Sequence, residues 1–166
     1  MILETPRLRL VPLGPEHARE LWNVYSDPEV ARYVGGDSLT PDSTREQTER
    51  WAQTWTDRGY GQSAVILRET GAFLGRIGLS VWPDWNETEL GYALSRSSQG
   101  KGLAQEGCVA WIDWAGSNLP DDHLIAVINP LNLPSLRLAH RLGFTLSRHE
   151  TVNDIEVGVH RLDLSR

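Results

Sequence analysis

The stretch Gln99-Gly100-Lys101-Gly102-Leu103-Ala104 runs into an apolar, helix-compatible segment over 103–115. No other part of the chain restricts the fold as much. Two glycines beside a helix start let the backbone pass close to a ligand, because glycine adopts positive φ without steric cost. The first N–H groups of the helix have no acceptor within it, so they face outward and favour an anion. The segment therefore predicts a phosphate-bearing ligand at a helix start: a nucleoside triphosphate, a dinucleotide or coenzyme A.

Local detail removes the first two. A triphosphate loop needs Lys followed by Ser or Thr to hold magnesium. Here Lys101 is followed by Gly102, and the next hydroxyl residue is Ser117. A dinucleotide loop needs three glycines after a buried strand, and an acidic residue about 20 positions on. The preceding segment, Glu87–Leu94, alternates polar and apolar residues like a half-exposed antiparallel strand. Asp121 and Asp122 precede the next strand instead of ending it.

The third class agrees with a resemblance. Gln99-x-x-Gly102-x-Ala104 is similar to the Gln/Arg-x-x-Gly-x-Gly/Ala acetyl-CoA loop of the GNAT N-acetyltransferases. Thr5-Pro6-Arg7-Leu8-Arg9-Leu10 resembles the opening strand of its ribosomal-protein N-terminal acetyltransferase-like (RimJ/RimL-type) branch. Asp27-Pro28-Glu29-Val30 resembles that branch's first-helix exit, and Glu89-Leu90-Gly91-Tyr92 its central strand. Asn132-x-x-Ser135-x-Arg137, ending in Leu142-Gly143-Phe144, is similar to its last-helix signature. The matches cover nearly the whole chain in the expected order. They imply an α/β (α+β) fold with a mixed, mainly antiparallel sheet of about seven strands and about four helices. They also imply acetyl-CoA as cosubstrate, no metal, and an amine-bearing acceptor, either a small molecule or a protein N-terminus.

Bulk properties are compatible. The 166 residues predict a single domain over 1–166, large enough for a substantial core. No apolar run approaches a membrane span, and Met1 leads into a strand-like segment unlike a signal peptide. The lone Cys108 excludes an internal disulfide. These absences point to the cytoplasm. A net charge of −6 argues against nucleic-acid binding, which needs a basic face. A homodimer is left open.

Turn and cap residues divide the chain. Leu8–Pro12 reads as a strand; Pro15 then opens a helix that carries Leu21, Val24 and Tyr25 and stops before Pro28. Thr40-Pro41 opens a second helix reaching about Arg58. Segments 62–68, 73–81 and Glu87–Leu94 read as an antiparallel meander with turn residues at each join. The helix after the glycine loop stops at Asn118-Leu119-Pro120. His123–Ile128 is a buried strand, Pro134 lies near the start of a last helix that Gly143 ends, and 144–152 and 156–164 pair around Asn153-Asp154. The resemblance implies that the sheet splays between its fourth and fifth strands to admit the pantetheine.

Acetyl transfer sets chemical demands. An alkyl ammonium has a pKa near 10, so a base must remove a proton before the amine attacks. The oxyanion that develops needs an N–H donor, and the departing thiolate benefits from an acid. Glu89 is the candidate base, with Glu87 as fallback on the same strand face; the alternative for both is a solvated strand carboxylate. Backbone groups of Tyr92, Ala93 and Leu94 are expected to hold the acetyl carbonyl and pantetheine amides. Gln99, Gly100, Lys101, Gly102, Leu103 and Ala104 are expected to surround the pyrophosphate.

Many GNAT enzymes place a Tyr four residues before the glycine of the last-helix signature as general acid, but this chain has Ala139 there. Ser135, the residue of the RimJ/RimL-type pattern, is the substitute; otherwise it serves the helix start. Asn132 contacts pantetheine or caps the helix. Arg137 reaches a CoA phosphate or is a solvated helical Arg. Cys108 reads as packing, His160 as a residue that faces the acceptor or is structural, and Trp51, Trp55, Trp82 and Trp85 as packing or acceptor walls. The resulting expectation is a direct-transfer N-acetyltransferase. The alternative is a CoA-binding sensor or interaction module with little catalysis, to which the missing Tyr lends weight.

Overall fold

The computed structural model describes residues 1–165. In chain order it has β1 (Leu3–Glu4), β2 (Leu8–Pro12), α1 (Ala18–Tyr25), α2 (Pro28–Ala31), α3 (Pro41–Arg58), β3 (Gln62–Leu67), β4 (Phe73–Trp82) and β5 (Glu87–Leu94). There follow α4 (Leu103–Asn118), β6 (His123–Ile128), α5 (Leu133–Leu142), β7 (Thr145–Val152) and β8 (Ile155–Asp163). The sheet has eight strands where about seven were expected, and five helices stand where about four were expected.

Both additions have a local cause. Strand β1 is a two-residue pairing of Leu3 and Glu4 with Leu10 and Arg9, too short to show alternation in sequence. Helix α2 begins where the first helix was expected only to stop. Asp27 accepts the Glu29 N–H on its side chain and Pro28 takes the first turn, so the residues that end one helix cap the next. The other caps follow the sequence: Thr40 and Ser43 form a reciprocal box at α3, and Gly143 ends α5 with φ of 98°.

Strand order is β1-β2-β3-β4-β5-β6-β8-β7. All neighbours are antiparallel except β5 and β6, which run parallel and share one registered pair, Glu89 opposite Ile125. The sheet thus forks beyond Glu89. Alternation sends Leu90, Leu94, Ile77 and Leu79 into the core beneath α4, together with the fully buried Trp111. The opposite face carries Ala64 and Ala93 against Leu21, Val24 and Tyr25 of α1. The Trp111 indole donates to Ser63 Oγ at 3.1 Å, which leaves its buried N–H satisfied. Truncating such a side chain to Ala costs about 3–5 kcal/mol.

One mid-helix glycine sets where the site lies. A Cβ at Gly107 would stand 2.5 Å from Ile77 Cδ1, so its absence lets α4 settle directly on β4. That close seat brings the first turn of α4 to the fork at the end of β5.

Candidate active site

The fork opens into a cleft of about 1030 Å³, bounded by the end of β5, the loop before α4 and the start of α5. Beyond Glu89 the β6 side of β5 has no strand partner, so backbone groups of Tyr92, Ala93 and Leu94 face this cleft. The Leu94 carbonyl is already taken: Gln99 Nε2 donates to it at 3.1 Å and ties the glycine loop to the strand end.

Gly100 and Gly102 have φ of 75° and 77°, the left-handed region that a side chain disfavours. Gly102 is the N-cap of α4, and the first bond within the helix runs from the Glu106 N–H to the Gly102 carbonyl. The N–H groups of Leu103, Ala104 and Gln105 precede it and are available to an anion at the cleft wall. Space above Gly100 is open to 4 Å. The chain also holds this loop from outside. Arg7 Nε donates to Glu106 Oε1 at 2.9 Å, its NH1 donates to the Lys101 carbonyl at 2.9 Å, and Thr5 Oγ1 donates to Glu106 Oε2 at 2.5 Å. The Thr5-Pro6-Arg7 signature thus fixes the glycine loop and the start of α4, a role its sequence position did not reveal. Lys101 itself is exposed.

On the far wall, Asn132 Oδ1 accepts the Ser135 N–H at 3.3 Å, so Asn132 is the cap of α5 while also lining the cleft. That frees the Ser135 hydroxyl from capping duty. Its Oγ instead accepts the Tyr92 phenol at 2.8 Å, joining β5 to α5 across the opening. Burial pushes the Tyr92 phenol up to about 12. Only main-chain roles were expected of Tyr92; the side-chain link needed the fork to become visible. Arg137 is exposed on α5 at the cleft rim, beside Arg141. Ala139 is buried and presents no acid.

Glu89 stands at the fork itself. Its Oε2 accepts the Val127 N–H at 3.3 Å, a donor that parting strands leave without a β5 carbonyl. Burial raises its pKa to about 7, against opposing pulls from Trp82, Arg76 and the Val127 N–H. Glu87 is differently placed. Arg148 meets it at 2.5 Å and His123 Nε2 at 2.7 Å, and these partners overcome its burial to hold its pKa below the usual value. A carboxylate so engaged is a poor base, and the fallback is set aside on that ground.

The remaining residues divide clearly. Cys108 is buried and its thiol is pushed up to about 12, which suppresses the thiolate. Trp55 packs near Trp111 and donates to the Gln62 carbonyl at 2.7 Å. Trp82 and Trp85 stack at 4.4 Å, and Arg76 covers Trp51 at 4.9 Å. His160 is half-buried on β8, opposite Ala126. No described helix is long and apolar enough to cross a membrane.

The comparisons agree with this geometry. The profile of the acetyltransferase (GNAT) domain matches residues 7–145. An uncharacterised N-acetyltransferase named p20 from Bacillus licheniformis is 33% identical over 147 residues, covering 86% of this chain and 81% of that protein. The acetyltransferase structure from Agrobacterium tumefaciens strain C58 superposes with a TM-score of 0.86 at 32% identity, over 98% of this chain and 94% of the other. RimL, a ribosomal L7/L12 alpha-N-protein acetyltransferase solved with coenzyme A, shares the fold with a TM-score of 0.80 at 17% identity, over 99% and 98% of the two chains. With the fork, the glycine loop and these matches in agreement, the chain belongs to the GNAT family of acetyltransferases.

Proposed function

We propose that this enzyme transfers the acetyl group of acetyl-CoA directly to a primary amine in a ternary complex. The observation that carries the reading is Glu89, a carboxyl set in the fork with its pKa raised to about 7. A base of that pKa is half ionised near neutrality and strong enough to assist an ammonium. The acceptor is a small amine or a protein N-terminus; RimL's action on a protein α-amine is consistent with the second.

The residues divide the work. Glycine-loop N–H groups from Gly100 to Ala104, with Lys101 and Arg137 nearby, hold phosphate oxygens. Asn132 and the free edge of β5 hold the amides of the pantetheine arm. Glu89 accepts the amine proton, directly or through a water, as nitrogen bonds to the carbonyl carbon. An edge N–H of Tyr92 to Leu94 stabilises the developing oxyanion. The carbon–sulfur bond then breaks and the thiolate leaves, its charge met by the Ser135 hydroxyl. Tyr92, at about 12, is far too weak an acid to protonate a thiolate whose conjugate acid lies near about 8.5. The Tyr92–Ser135 pair therefore acts by hydrogen bonding, and solvent supplies the proton.

The sensor reading rests on Ala139, and the Tyr92–Ser135 pair weakens it by providing a donor from another direction. Thiol release from acetyl-CoA with a panel of primary amines separates the two. The proposal expects release that depends on the amine. Tight acetyl-CoA binding with no amine-dependent release would favour the sensor.

A further inference from the structure

Arg76 is the unexplained charge beside the fork. It projects from the middle of β4, opposite Ala93, on the sheet face that carries Glu89. It is half-buried, yet no carboxylate lies within ion-pair distance of it among the described residues. Its fixed partners are neutral. Nε donates to the Tyr25 hydroxyl at 2.7 Å, NH1 donates to Gln62 Oε1 at 3.1 Å, and the guanidinium covers the Trp51 ring at 4.9 Å. Two of five N–H donors are thus committed. Arg148 makes the contrast: similarly shielded, it meets both Glu87 and Glu150. Glu89 feels the Arg76 charge through space but makes no ion pair with it, and desolvating a cation without a close counter-ion is costly, so the fold holds Arg76 in place at the expense of stability.

Beside Gly91 there is room for at least one carbon atom at contact distance. A point one Cβ above Gly91 is 3.7 Å from Arg76 NH1, 3.7 Å from Glu89 Oε1 and 3.8 Å from Gln62 Nε2. Glycine at 91 leaves that point free of side chain, between Arg76 NH1, the one Gln62 Nε2 proton that is not given to Ser80 Oγ, and the candidate base. We propose that Arg76, with Gln62, binds a carboxylate on the acceptor, so that the enzyme selects amines bearing a carboxylate a few atoms from the nitrogen. This rests on the acetyl-transfer reading and names its substrate class. Two sources present that chemistry: a free α-amino acid, through its own carboxylate, and a peptide whose first residue has an acidic side chain.

The test compares matched amines by thiol release at saturating acetyl-CoA. One pair is an α-amino acid and its amide; the other is a short peptide-amide beginning with Asp and the same peptide beginning with Asn. Wild type should prefer the acid in at least one pair by tenfold or more in kcat/KM, mainly through KM. Whichever pair shows the preference identifies the source. Arg76→Gln should abolish the preference, read as the ratio of acid to neutral partner within each protein, and Arg76→Lys should restore part of it. A merely structural Arg76 would lower both members of a pair alike, which overturns the proposal. Equal wild-type rates for acid and neutral partner overturn it without any variant, and leave acetyl transfer standing. Release with no amine at all overturns both.

Discussion

The Tyr92 phenol donates to Ser135 Oγ at 2.8 Å, and this bond crosses the cleft at the fork between β5 and β6, from β5 to the first turn of α5. It leaves the Ser135 proton free to point into the cleft. A hydroxyl whose oxygen is already an acceptor is the better donor, since hydrogen bonds in series polarise each other. In the proposed mechanism the pair therefore meets the thiolate in place of the acid that Ala139 cannot provide.

Ser135→Ala and Tyr92→Phe should each slow acetyl transfer by about tenfold or less, the kinetic equivalent of one modest hydrogen bond. The double variant should be scarcely slower than Ser135→Ala, because Tyr92 acts through Ser135. Steady-state kcat for the four proteins with one accepted amine checks this. Multiplicative losses would separate the two residues.

The glycine loop gives a prediction about binding alone. Gly102→Val forces a β-branched residue to φ of 77° and sets its Cβ 3.4 Å from Arg7 NH2. Acetyl-CoA affinity should fall tenfold or more, about 1.4 kcal/mol, with the fold retained. Glu106→Gln, which loosens the Arg7 clamp, should weaken binding less. Lys101→Ala should matter least, since an exposed charge is screened by salt. Calorimetric titration of folded variants gives the order directly.

Glu89 also marks a cost to stability. Its folded pKa of about 7 exceeds the ordinary 4.5, so its contribution is fully present below pH 4.5 and is lost as pH rises through 7. Glu89→Gln, which keeps the acceptor for the Val127 N–H, should therefore be the more stable protein at pH 8 and gain little at pH 4. The change between those limits has a ceiling of about 3 kcal/mol. Urea denaturation at both pH values measures it.

Much of this was legible in the residues. The Gln99–Ala104 loop, the Thr40 and Gly143 caps and the Asn153-Asp154 turn, with φ of 49° and 65°, carry local signals that packing did not override. Strand β1 and helix α2 were missed because two residues and about one helical turn are too short for a pattern to repeat. What sequence hides is contact across the fold. Glu87 and Glu89 share a strand face and residue type, but Arg148 and His123 reach one and Val127 the other. Tyr92 meets Ser135 43 residues away, and Arg7 meets Glu106 at 99, pairings set by which strands adjoin.

The pH dependence of kcat/KM for one accepted amine, at saturating acetyl-CoA, tests the central role of Glu89. A base must be deprotonated to act, so the wild-type value should climb with pH and bend near pH 7, where Glu89 ionises. Glu89→Gln should lose that bend and fall roughly 10²-fold or more at neutral pH, with the deficit shrinking above pH 9 as free amine forms unaided. Acetyl-CoA affinity should not change. A Glu89→Gln enzyme with the wild-type rate and the same bend would contradict the assignment and place the base elsewhere.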